Sequence, residues 1–270
     1  MITESLIASP TLGTFARELS VARDVAESAG AYLMEVFGTV TGHRKADGTL
    51  VTSADLESNR RIIAGLKAAF PGDEIVSEEI GTTYYGGARV WIVDPLDGTS
   101  NYCHRIPIWG TTLALLVDGY PVVGVSHFPT LGFTCTAQRG GGAWEKDRPL
   151  RSGTGSGITE DDLIAYCSRT ARHYSLNFPA KGRMLGSAAL NFALVAAGAV
   201  RMSMEQTARV WDVAAGWLLV EEAGGMVGRL DGQSMWPLPP GEYRDRKINT
   251  LAACNAEVYQ TARAGVKAKG

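Results

Sequence analysis

Cysteine is scarce and scattered in this chain: Cys103, Cys135, Cys167 and Cys254 form no CxxC pair. That spacing speaks against a thiolate zinc site or a disulfide framework and suits a reducing, cytoplasmic setting. Charge of one sign is also lacking, because 26 basic and 28 acidic residues leave a formal net charge of -2. Nothing in that balance points to nucleic acid or a membrane surface, so an anionic substrate would have to be held locally, by metal or backbone. Long apolar runs are missing. The longest, Phe192 to Val200, is about half of the ~20 residues needed to span a bilayer. The first thirty residues carry Glu4, Arg17, Glu18 and Asp24, which leaves no signal-peptide core. A soluble protein with no membrane partner is expected. None of His43, His104, His127 and His173 stands in a paired metal-ligand spacing.

What is present is enough apolar material for a sizeable core. With 270 residues and 45% hydrophobic content, the chain can form one domain or two closely packed subdomains. Phe15, Leu19, Ala22, Ala26, Ala29, Leu33 and Phe37 recur at steps of three and four, which predicts a long amphipathic helix closing near Gly38. A second helical pattern runs from Leu56 to Phe70, and between the two lies a polar loop with a hairpin-like Asp47-Gly48. From Thr111 to Trp144 short β-type runs separated by Gly and Pro turns predict a mainly antiparallel sheet. The Ser/Gly/Thr-rich segment from Arg151 to Thr159 reads as a seam between an α+β half, 1–150, and an α/β half, 151–270. In the second half, helices near Ser187–Ala197 and Val213–Ala223 alternate with candidate strands at Leu163–Cys167, Ala199–Met204 and Thr250–Ala253, and a last helix starts at Ala256.

The segment from Trp91 to Tyr102, WIVDPLDGTSNY, is the most informative dozen in the chain. An apolar run ends in two carboxylates, Asp94 and Asp97, around a proline that fixes the backbone, and Gly98 and Thr99 follow. This predicts a strand entering a tight turn, with carbonyls and amides free to face a ligand. Carboxylates this close repel unless a cation lies between them, and hard divalent ions favour such oxygens. Amides after Asp97 can hold an anion, so metal and oxyanion at one turn suggest phosphoryl chemistry, although an ordinary surface turn would carry the same residues. Other acids have two readings each. Glu78 and Glu79 leave a short strand, Glu74–Ser77, and read as a ligand beside a neighbour or as an acidic surface loop. Asp212 and Asp55 sit where helices begin and could simply serve those helix ends.

Taken together these segments resemble the inositol monophosphatase family. Its first signature is met by Trp91–Tyr102, its second by Trp211–Gly216 with Glu222–Gly225, and the earlier elements Lys45, Val51-Thr52, Asp55 and Phe70-Pro71 through Glu78-Glu79 also match in order. The resemblance covers the chain from the first helix to the last. It implies a layered αβαβα sandwich of the inositol monophosphatase and fructose-1,6-bisphosphatase type and a homodimer.

The same resemblance implies a magnesium-dependent, lithium-sensitive phosphomonoesterase with two to three Mg2+ per subunit. Glu78, Asp94 and the carbonyl of Leu96 would hold the first ion, Asp94, Asp97 and Asp212 the second, and Glu78 with waters a third. Asp55, Glu79 and Thr99 would orient or deprotonate the attacking water, with no covalent phosphoenzyme. Asp97, Gly98 and Thr99 would face the phosphate, and Gly186, Ser187, Ala188 and Glu205 the alcohol. Glu205 suits the hydroxyls of an inositol or similar polyol, and equally the ammonium of histidinol phosphate. Histidinol-phosphate phosphatase and then fructose-1,6-bisphosphatase are the alternatives, and a regulatory protein on the same fold is another. Ser100-Asn101-Tyr102 departs from the T-K-E-F of phosphatases acting on nucleotide bisphosphates. Tyr84–Gly87 reads as a mobile loop near the metals.

Overall fold

The computed structural model describes residues 14–44 and 50–269, so Lys45 and the Asp47-Gly48 turn lie outside the described residues. Helix α1, Ala16–Val36, and helix α2, Ser53–Ala69, follow the predicted periods. Their apolar stripes, including Ala22, Ala26, Ala29, Ile62 and Leu66, pack on Trp91, Val93, Leu113, Leu115 and Val125 of a sheet. A reciprocal cap starts α2. The Thr52 hydroxyl oxygen accepts from the amides of Ala54 and Asp55, while the Asp55 carboxylate accepts from the amide and hydroxyl of Thr52.

That sheet has seven strands in the order Arg148–Pro149, Gly142–Glu145, Phe133–Gln138, Tyr120–Phe128, Gly110–Val117, Arg89–Asp97 and Glu74–Ser77. All pairings are antiparallel except the last, where Glu74–Ser77 runs parallel to Arg89–Asp97, the chain returning between them through residues 78–88. Strand alternation sends Val90, Ile92, Ala114 and Leu116 to the face opposite α1 and α2. There they meet α5, Ala188–Ala196, and α6, Val210–Glu222. Helix α6 is buried continuously from Val213 to Val220, as an all-apolar helix between two sheets must be.

A second sheet lies beyond, in the order Lys181–Arg183, Leu163–Tyr166, Met202–Ala208, Ile248–Ala253 and Met226–Arg229. Its outer face carries Met202, Met204 and Leu251 against Val258 and Ala262 of helix α7, Ala256–Gly265, with the six-residue α4, Ser168–His173, beside it. The layers are therefore α, β, α, β, α, the expected sandwich. No helix among the described residues is long and apolar enough to cross a membrane.

Three local expectations shift. The strand expected at Ala199 begins at Met202, since Gly198, at φ 71°, closes α5 and the amides of Ala199 and Val200 still bond to Leu194. Helix α6 starts three residues before Val213, because Asp212 accepts from the Arg209 amide inside its first turn. Tyr84–Gly87, read as a mobile loop, is tied down. The Tyr85 and Gly87 amides donate to Glu74, and Thr83–Tyr84 pairs with Gly241–Glu242.

Candidate active site

The site gathers at the carboxyl end of the Arg89–Asp97 strand, whose register slips between Asp94 and Asp97. The slip exposes peptide groups, and neighbours take most of them. The carbonyl of Pro95 accepts from Ser58 Oγ at 2.9 Å and Thr111 Oγ1 at 3.2 Å, so this carbonyl is not free to face a ligand, contrary to the reading of a bare turn. The amide of Leu96 donates to Asp94 Oδ1 at 3.0 Å. Gly98 adopts φ 85°, and a Cβ there would stand 2.9 Å from the Ile108 carbonyl, so the turn requires glycine. The short helix α3, Thr99–Cys103, follows.

Asp94, Asp97 and Asp212 offer oxygens that all lie within 4.8 Å of one another. Burial is the chief reason that Asp94 and Asp212 hold their protons well above the ordinary carboxylate range, and mutual repulsion within the set that includes Asp97 and Glu78 adds to it. Asp97 is pushed up to about 6 by burial, against the pull of the Ser187 hydroxyl and the amides of Ala188 and Ala189. Two buried carboxylates and the half-buried Asp212 at this spacing are a repulsive arrangement by themselves, and an all-oxygen donor set is what a hard divalent cation such as magnesium selects. The residues present therefore fit such an ion.

On the other side of the turn stands Asp55. Burial raises it to about 6, opposed by the hydroxyl and amide of Thr52; Glu79 raises it further and Thr99 lowers it. Thr99 Oγ1 lies 3.1 Å from Asp55 Oδ1 and 3.0 Å from the Leu96 carbonyl, so one hydroxyl joins the expected activator to the expected backbone ligand.

The segment expected to meet the alcohol is used differently in part. Ser187 donates its hydroxyl to Asp97, and the same oxygen accepts from the Leu190 amide at 3.1 Å as the cap of α5. The Ala188 amide donates to Asp97 Oδ1 at 3.2 Å. Both thus hold Asp97 in place; a serine opening a helix announces the cap in sequence, but not this contact. Gly186 has φ 75°, and a Cβ there would touch the Asn101 side-chain amide at 2.9 Å. Asn101 itself was missed: its Nδ2 donates to the carbonyls of Ile108 at 2.8 Å and Leu185 at 2.7 Å, joining the first signature to the segment that leads into α5. No periodicity marks such a residue.

Glu205 is 4% exposed, on the strand Met202–Ala208. Burial lifts it to about 7, the Asn191 bond pulls the other way, and the charge of Asp97 adds to the rise. Asn191 Nδ2 donates to its Oε1 at 2.6 Å, and the Cys167 thiol also bonds the carboxylate. Asn191 and Cys167 were not foreseen as partners of Glu205, because neither lies near it in sequence.

A family model described as "Inositol monophosphatase family" matches residues 16–265. The inositol-1-monophosphatase of Mesorhizobium japonicum is 37% identical over 230 residues, covering 79% of this chain and 86% of that protein. A histidinol-phosphatase of Chlorobaculum parvum is 34% identical over 221 residues, 77% of this chain and 84% of its own. Among solved structures, the extragenic suppressor protein suhB from Bartonella henselae superposes with a TM-score of 0.79 at 29% identity, covering 92% of this chain and 98% of that one.

Proposed function

The chain belongs to the inositol monophosphatase family, and we propose that it is a magnesium-dependent phosphomonoesterase acting on inositol monophosphate or a similar small polyol phosphate. The observation that carries this proposal is the cluster of Asp94, Asp97 and Asp212, with Glu205 within electrostatic reach of Asp97. In this proposal Glu78, Asp94 and the Leu96 carbonyl would hold one magnesium, Asp94, Asp97 and Asp212 a second, and Glu78 would contribute to a third. When bound, magnesium would neutralise the phosphoryl oxygens and acidify the attacking water.

The chain's own residues do the rest. The Thr99 hydroxyl has one proton and two acceptors in reach, Asp55 and the Leu96 carbonyl. While it donates to Asp55, its lone pairs accept from a water and aim that water's oxygen at phosphorus. Asp55 is the sink for the proton that water loses, and Glu79 raises its affinity for it. The amides of Gly98 and Thr99 receive the phosphate. Ser187 and Ala188 keep Asp97 oriented, and Glu205, held by Asn191, accepts hydrogen bonds from the alcohol's hydroxyls.

Phosphate release from inositol 1-phosphate, histidinol phosphate and fructose 1,6-bisphosphate, with a magnesium titration, tests the proposal. Highest kcat/KM on inositol 1-phosphate is expected, and no turnover of any phosphomonoester would overturn it. Histidinol phosphate is the second choice, favoured by the buried carboxylate of Glu205, which would pair with an ammonium. We further propose a cytoplasmic homodimer inhibited by lithium; sedimentation and a lithium titration check these points.

A further inference from the structure

The outer helical layer is thin over one edge of the second sheet. Helix α4 has six residues, and past it the chain forms only a two-stranded ribbon, Tyr174–Leu176 with Val266–Ala268. Neither covers the outer face where Leu163–Tyr166 meets Lys181–Arg183. What remains is a cleft of about 370 Å³, within the roughly 300–1,000 Å³ of small-molecule sites. Its walls include Tyr166, Tyr174, Phe178 and Lys269. The three rings are partly exposed and backed by the apolar cluster under α7, so each offers a supported surface. Gly182 makes room for one of them, since a Cβ there would stand 2.3 Å from the Tyr166 hydroxyl.

The segments that border the cleft carry several cations, and Lys269 is among the residues that line it. From Leu163 to Met204 the sequence has no Asp or Glu, yet it carries Arg169, Arg172, Lys181 and Arg183, and Lys267 and Lys269 close the same edge. All six are exposed. Lys181 has an ion pair, with the exposed Asp161 at 3.5 Å. Lys269 Nζ donates to the Ala171 carbonyl at 2.7 Å, which fixes the ammonium at the wall and leaves two further N–H groups. Aromatic surface beside cations recognises a ligand with an aromatic ring and a phosphate, since the ring stacks or packs while the cations hold the anion.

We propose that this cleft is a second binding site, separate from the acidic centre, for a nucleoside phosphate, either free or as one unit of a single strand. The phosphorylated end lies at Lys269 and the base against Tyr166, Tyr174 and Phe178. The proposal does not depend on the reaction proposed above.

The test is calorimetric titration of the full chain in EDTA, so that no metal recruits phosphate to the acidic centre. The probes are adenosine 5′-monophosphate, adenosine, inorganic phosphate and a short oligoadenylate. Adenosine 5′-monophosphate is expected to bind one per chain, about tenfold or more tighter than adenosine or phosphate. Phe178→Ala and the double variant Arg172→Glu, Lys269→Glu should each weaken it about tenfold or more. Both variants should retain magnesium-dependent phosphatase activity or, failing that activity in the parent, its circular dichroism spectrum. Asp94→Asn should bind as the parent does. Tighter binding of the oligoadenylate would assign the ligand to a strand, and equal or weaker binding to a free nucleotide. Absence of binding up to millimolar ligand, binding undiminished in both cleft variants, or binding lost in Asp94→Asn would overturn the proposal.

Discussion

Asp55 carries two duties that pull its titration in opposite directions. As part of the α2 cap it accepts from Thr52, which favours the charged form, yet burial raises it from 3.8 to about 6. Only the charged form can take a proton, so kcat/KM should rise with pH through about 6. In Asp55→Asn that limb should vanish and the rate fall about 100-fold or more, measured in a pH-rate profile. Asp97 gives a thermodynamic counterpart. Its folded value of about 6 exceeds its free value of 3.8, so its share of metal-free stability is full below the free value and lost as pH rises through the folded one. Magnesium binds the carboxylate form and should therefore stabilise increasingly over the same window. Melting temperatures with and without the ion from about pH 4 to 7 measure this linkage. Asp212→Asn removes an acid whose ionised form its surroundings disfavour. The metal-free protein should gain about 1 kcal/mol, or ~2–4 °C in Tm, while activity falls at least ~100-fold.

At the scale of elements, α6 decides where Asp212 stands. Gly124 of the Tyr120–Phe128 strand lets the helix sit against the first sheet: a Cβ there would come within 2.9 Å of the Ala215 carbonyl and 3.2 Å of its Cα. On the other side, a Cβ on Gly216 would meet Phe192 of α5 at 2.5 Å. Gly124→Ala should cost about 1–3 kcal/mol by overpacking and shift α6 away from the sheet. Magnesium affinity should weaken with it, although Gly124 touches no ligand of the site; isothermal titration and thermal melts read the two effects. An unchanged affinity alongside a lowered Tm would separate helix position from metal binding. The helices and the antiparallel strands were legible in sequence because apolar periods of 3.6 and 2 record which face is buried. The late start of the Met202–Ala208 strand was not, because Ala199 and Val200 are as apolar as strand residues while hydrogen bonds to Leu194 keep them in a turn.

In the whole molecule, the division into 1–150 and 151–270 is proposed as one of topology and not of independent folding. Val90, Ile92 and Leu116 of the first sheet share one apolar cluster with Phe192, Trp217 and Leu218 from the second half. Residues 1–150 expressed alone should therefore expose that face and aggregate or melt without a cooperative transition. Co-expression with residues 151–270 should restore a soluble complex with a single transition; a monomeric 1–150 fragment that melts cooperatively would refute this.

The sequence by itself determined the family and, through that resemblance, the expected layering, because the signatures are contiguous, and it marked the candidate acids. The WDVAAG segment marked Asp212 without reference to the rest of the chain. Only tertiary structure decided which groups meet. It set Asp97 between Ser187 and Asp212, closed the Pro95 carbonyl with Ser58 and Thr111, and put Asn191 and Cys167 on Glu205. Such meetings depend on how α2, α5 and α6 pack around the end of one strand. The titration of a buried carboxylate is likewise set by desolvation and by charges distant in the chain, and no local pattern records either.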